Sequence, residues 1–256
     1  LGVPKSIEFW VDTFSEVIND GLMMLLSSDD KEVFFTGNDI QEKAVSGGWN
    51  SSNDKFLDFP LAEPQLNLKL NIVPDESINS GDDYIDAASF DTSGIDLIDA
   101  TFDDGKTLPL VVGGIINIEI NVPESSYENG SFVELYNSEI KPYAESILFH
   151  ELTHVYEFYK RILSNSAKPN FEQVANLTQM MNKMGSVDDW DELMFMIYLH
   201  LSFELNARIS EVYGLLRNKN ISSKEEFIEF LKTSRAFSYA KRLNNFSAEK
   251  FFEDFE

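Results

Sequence analysis

The sequence predicts an α+β fold with segregated elements: an N-terminal helix and a mixed or antiparallel sheet, followed by a mostly helical C-terminal half. Three observations carry this. Lys5 to Leu26 has apolar residues at helical spacing, two later stretches alternate apolar and polar residues strictly, and from about Ser138 onward the period is helical again. Strands do not alternate with helices, so a βαβ parallel sheet is not expected.

The first helix is read from Ile7, Trp10, Val11, Phe14, Val17, Ile18, Leu22 and Leu25, which fall on one face. Residues 27–66 read as polar and loop-rich, with Ser46-Gly47-Gly48 and Asn50-Ser51-Ser52-Asn53 as breakers. Leu68, Leu70 and Ile72 then alternate with Asn67, Lys69 and Asn71; Ile116, Ile118 and Ile120 alternate with Asn117, Glu119 and Asn121. A period of two means strands with one wet face. Both run into Val-Pro and an acidic residue, at Val73-Pro74-Asp75 and Val122-Pro123-Glu124, which reads as two strands stopped by proline rather than as a repeat.

Eight aspartates run from Asp82 to Asp104, but the Asp103-Asp104-Gly105 run fails the EF-hand pattern, because Ala100 and Phe102 occupy ligand positions. Asp104-Gly105 reads better as a hairpin turn. Helices are expected near 139–164, 171–184, 189–217, 223–233 and 235–253, the third opening on Asp189 with Glu192 three residues on. The chain thus divides at about residue 135. Residues 1–135 form a helix-plus-sheet subdomain and 136–256 a helical one, making one unit with a cleft between.

Composition narrows the function. The 256 residues suffice for a sizeable core. With 44 Asp+Glu against 20 Lys+Arg the net charge is −24, which repels nucleic-acid backbones and anionic lipid. Cysteine is absent, so there is no disulfide framework, thiolate metal site or Cys nucleophile. No apolar run reaches the roughly 18 residues of a membrane span. The first residue is Leu, which points to a processed or trimmed chain; localisation stays open, with secreted and virion-associated settings both compatible.

The chemistry concentrates on the three histidines, His150, His154 and His200. His150-Glu151-Leu152-Thr153-His154 lies in a helical pattern. Histidines four apart share a helix face, so both imidazoles reach one ion. Glu151 is rotated about 100° from His150, beside the ion, where a general base belongs. A catalytic zinc site needs a third protein ligand and an open position. Between Leu193 and Leu216 the only charged or imidazole side chains are His200, Glu204, Arg208 and Glu211, spaced four, four and three apart. They make a stripe under about 90° wide on an apolar helix, narrower than an ordinary wet face. The stripe can face the ion, and at this point the third ligand is open between Glu204 and His200, which lie one turn apart.

His-Glu-x-x-His followed on a later helix by Glu204-Leu205-Asn206-Ala207 resembles the gluzincin metallopeptidases, closest in pattern to the compact, lethal-factor-like members. The resemblance covers about residues 138–217. It implies a zincin-like fold and a zinc ion bound by His150, His154 and Glu204, with Glu151 as general base. It also implies an Ala207 that lets the two helices approach closely. In thermolysin-type enzymes an Asp follows the third ligand by four residues; here that position is Arg208, leaving Glu211 as the carboxylate partner of a histidine and Arg208 to pair with it or with substrate. No third His ligand follows nearby, since the position six beyond His154 is Lys160.

The oxyanion donor is open among His200, Tyr213, Tyr198 and Tyr156. Ile115 to Val122 is either an edge strand that pairs with an extended peptide, approached closely at Gly113-Gly114, or an ordinary central strand. The expectation is a zinc-dependent endopeptidase acting on peptide or protein substrates, with some preference for basic ones. The alternative is a zincin-shaped structural or interaction domain, for instance virion-associated, whose metal staples helices.

Overall fold

The computed structural model describes residues 3–28, 30–48, 66–78, 85, 87–91, 96–101, 107–128, 131–163, 196, 198–199, 201–217, 219–245 and 247. Helix α1 spans Lys5–Leu26, as the periodicity predicts. Its apolar face is fully covered, with Trp10, Val11, Phe14 and Ile18 all at 0% exposure.

Residues 27–66 are not all loop. Strand β1 (Glu32–Phe35) and helix α2 (Gly37–Ser46) lie within them. The helix starts at a capping box: the Asp39 carboxylate accepts from Thr36 N at 2.7 Å, and Thr36 Oγ1 accepts from Asp39 N at 3.4 Å. That Thr-x-x-Asp signal is in the sequence, but the strand before it is too short to show a period.

Strands β2 (Asn67–Asp75) and β6 (Ile115–Pro123) are the two alternating stretches. They pair in parallel, from Asn67 opposite Ile115 to Asp75 opposite Pro123. Leu68, Leu70 and Ile72 thereby stand beside Ile116, Ile118 and Ile120, and all six are buried. β6 ends on Pro123 and β2 one residue past Pro74, so both strands stop at their prolines. Strand β3 (Ala87–Asp91) adds antiparallel to β6, and β1 adds antiparallel to β2, giving the order β1-β2-β6-β3. The strand at 115–122 is therefore interior, and β3 forms the border of the described sheet.

Strands β4 (Asp96–Thr101) and β5 (Thr107–Val112) form a separate antiparallel ribbon, with Thr101 opposite Thr107. The expected Asp104-Gly105 turn lies between them, outside the described residues. Gly113 and Gly114 carry the chain from ribbon to sheet with φ of 81° and 97°, left-handed values that glycine adopts without a Cβ clash.

After β6 come short helices α3 (Glu124–Glu128) and α4 (Phe132–Leu135), a wide π-type turn over Tyr136–Ile140, and helix α5 (Lys141–Leu163). The helical run is thus continuous from Phe132 and begins earlier than the expected 139. Helix α6 covers Ser202–Arg217, α7 Lys224–Lys232 and α8 Arg235–Asn245. The helix expected over 171–184 and the Asp189 start lie outside the described residues. Residues 196, 198 and 199 are helical, but Leu201 is a bend, so the periodicity over 189–217 does not mark one straight helix. No helix among the described residues is long and apolar enough to cross a membrane.

The fold is α+β with a small mixed sheet. One hydrophobic cluster joins α1, the sheet, α4 and α5, from Ile7 through Ile118 to Phe158. Helix α5 sits between α1 and α6. Against α6 the approach is tight at Gly214, where a Cβ would lie 2.6 Å from the Phe149 ring and 2.8 Å from Ser146 Cα. Ala207, two turns earlier, is fully buried at the same seam.

Candidate metal centre

Helix α6 is amphipathic in an inverted sense. Glu204 has no exposed surface and Glu211 is 4% exposed, while Leu205 and Ile209 are more than half exposed. A carboxylate is costly to bury unless something pairs with it. The partners come from α5, whose His150 and Glu151 are buried at the facing surface and whose His154 is partly so.

The Nε2 atoms of His150 and His154 face each other at 3.0 Å. Glu204 Oε1 lies 3.6 Å from His150 Nε2, and Oε2 lies 3.3 Å from His154 Nε2. One ligand atom from each of the three residues falls within 4.8 Å of the others, the one such group of His, Asp and Glu side chains among the described residues. Ligands about 2.0–2.1 Å from a common tetrahedral centre stand about 3.3 Å apart. The observed 3.0, 3.3 and 3.6 Å bracket that edge, so the donor set fits a small metal ion.

A surrounding layer holds these groups. His150 Nδ1 is buried without a well-formed hydrogen bond, and Glu211 Oε2 lies 3.4 Å from it. A carboxylate there favours the proton on Nδ1 and leaves Nε2 free to ligate. Arg208 donates from Nε to Glu204 Oε1 at 2.7 Å and from Nη1 to Glu211 Oε2 at 2.8 Å, joining the two carboxylates. Tyr198 donates its hydroxyl to Glu204 Oε2 at 2.5 Å.

The charges follow. Burial alone would push Glu204 up, but the His154 hydrogen bond and the His150 and Arg208 charges outweigh it and hold the carboxyl at about 2. Glu211 is likewise lowered: burial is overcome by the close approach of His150 and by Arg208. Burial raises Tyr198, and the Glu204 charge raises it further, so its hydroxyl keeps its proton. The Glu151 charge acts on Tyr198 in the same direction, which puts Glu151 in the same pocket of charge.

His150, Glu151, His154, Glu204, Arg208 and Glu211 are therefore assembled at one place. Tyr213 is not. Its hydroxyl donates to Glu8 of α1, and its ring packs edge-on against Phe149 with centroids 5.4 Å apart. Nine residues separate Tyr213 from Glu204, which is half a turn out of phase, so the helix itself turns it away. Its nomination as oxyanion donor is corrected on this ground. His200 lies outside the described residues. Tyr198 takes the place beside Glu204 because the bend at Leu201 redirects it; on a straight helix it would point about 120° away.

The sequence reading did not single out Gly214 or Tyr239. Gly214 had a signal, being the glycine on the same helix as Ala207. Tyr239, whose ring meets Arg208 with Cζ 4.7 Å from the centroid, comes from a distant helix and had none. Compared with family models, with curated proteins and with solved structures, the chain matches none.

Proposed function

We propose that this chain is a zinc-dependent endopeptidase with a zincin-like fold and a gluzincin ligand set, acting on peptide or protein substrates. The observation that carries the reading is the convergence of His150 Nε2, His154 Nε2 and the Glu204 carboxylate within 4.8 Å, with a glutamate beside His150. Two imidazoles and one carboxylate suit zinc among the common ions, and three protein ligands leave a position open for chemistry. A zinc ion held there by His150, His154 and Glu204 would supply Lewis acidity toward a peptide carbonyl and lower the pKa of a water toward about 7.

The chain's own residues do the rest. Glu211 fixes the His150 tautomer. Arg208 keeps Glu204 ionised and ready to ligate across the neutral range. The Glu151 carboxylate takes a proton from the attacking water and passes it to the leaving amine. The Tyr198 hydroxyl, kept protonated by burial, is the donor available to a developing oxyanion once it turns from Glu204 Oε2. Strand β3 pairs with β6 on one side; among the described strands its other edge is open and suits pairing with an extended peptide. It also packs on α5, with the Phe90 and Phe158 rings 6.3 Å apart, so such a peptide would run beside the histidine helix.

The test is Glu151→Gln, which keeps shape and deletes the base. Zinc content and melting temperature stay near wild type, while hydrolysis of a mixed peptide library falls at least ~10²-fold. If wild type and variant bind zinc equally and neither cleaves, the structural-domain reading replaces the peptidase one.

A further inference from the structure

Helix α8 buries none of its residues, so the hydrophobic effect gives it little reason to lie where it does. Specific contacts tie it down. At its first residue Arg235 donates to the Ile85 carbonyl at 2.7 Å, two residues ahead of β3. One turn later the Tyr239 ring meets the Arg208 guanidinium, 4.7 Å from Cζ to centroid. Arg208 is the group that bridges Glu204 and Glu211. Helix α8 therefore reaches the candidate metal centre through the Tyr239 ring and the Arg208 guanidinium.

We propose that Tyr239 is a positioning residue for the metal centre, acting through Arg208 on the ligand Glu204 and on Glu211, the carboxylate that faces His150. The inference rests on the metal-site reading above. A guanidinium binds two carboxylates only while its plane is held, because its donors form a rigid fork. Arg208 keeps about a fifth of its side chain exposed, so it has a path to swing toward water. An aromatic face over the cation removes that freedom and favours the charge. Without it the guanidinium leaves one or both carboxylates; these then repel each other in a buried site, and Glu204 loses its fixed direction. Phenylalanine keeps the aromatic face over Arg208 and should serve, whereas an aliphatic side chain removes it and should not.

The experiment uses the full chain, stripped of metal and titrated with zinc against a chromogenic chelator. Wild type takes up one equivalent. Tyr239→Leu binds zinc about 10-fold more weakly, and Tyr239→Phe stays within about 3-fold of wild type. A ring with only a structural role lowers the melting temperature of metal-free protein and leaves zinc affinity untouched. Should Tyr239→Leu fail to fold, Arg208→Lys is the second variant. It keeps the charge but loses the two-pronged bridge, and it too weakens zinc about 10-fold. Equal or tighter zinc binding by Tyr239→Leu overturns the proposal, as does equal loss in the Phe and Leu variants. A wild-type chain that takes up no zinc removes the metal reading itself, and this proposal with it.

Discussion

Glu204 shows what a buried charge requires. It is enclosed completely, yet Arg208, Tyr198 and the two histidines bring positive charge or a donor to both its oxygens. Its ionised form is stabilised by folding, since its carboxyl drops from an ordinary 4.5 to about 2. A depressed carboxyl contributes stability that is fully present above the unfolded value and is lost as pH falls through the folded one. The metal-free protein should therefore lose stability between about pH 4.5 and 2, and Glu204→Gln should show a shallower loss in that window, read from melting temperatures across an acid series. Superimposable acid profiles would mean that Glu204 is not held as described. At this scale the sequence was informative for residues on a helix face. Spacing alone picks out His150, Glu151 and His154 and the stripe that holds Glu204 and Glu211, while the roles of those two glutamates came from the gluzincin resemblance. Tyr213 was legible as out of phase, and only a count of turns was needed to see it. Tyr198 was not legible in rank, because its position depends on a bend that spacing does not encode.

At the scale of elements, the seam between α5 and α6 sets how near the ligands stand. Gly214 sits where any Cβ meets the Phe149 ring and the backbone of Ser146. Backbone cannot yield as a flexible side chain can, so Gly214→Ala must part the helices or tilt one. The expected cost is ~1–3 kcal/mol of stability, measured by denaturant unfolding, together with weaker zinc binding as Glu204 retreats from the histidines. Unchanged stability would mean that the two helices are not in contact there. Helix α1 was legible to its ends because a one-sided apolar face of six turns leaves no other reading. Strand β3 was missed because Ala87-Ala88-Ser89-Phe90-Asp91 has almost no strand propensity of its own; pairing with β6 makes it a strand. The same pairing places β6 in the interior, a fact about partners far apart in sequence rather than about the strand.

For the whole molecule, a charge of −24 surrounds a site that itself gathers three buried glutamates, Glu151, Glu204 and Glu211. On the peptidase reading, such a field draws cationic peptides and repels anionic ones. The specificity constant kcat/KM for lysine-rich peptides should fall several-fold from ~0.01 M to ~0.15 M salt, and that for acidic peptides should rise, because the screening length shortens over this range. Salt-independent rates for both would remove steering from the account. The joining of α1 to the distant helices α5 and α6 has a different kind of consequence. Ser15 of α1 meets Glu145, 130 residues on; Tyr213 meets Glu8 and Arg217 meets Asp12, 205 residues on. A ribosome adding ~5–20 residues per second needs roughly 7–40 s to supply those partners. During synthesis, then, helix α1 leaves the ribosome well before Glu145, Tyr213 and Arg217 exist to meet Ser15, Glu8 and Asp12.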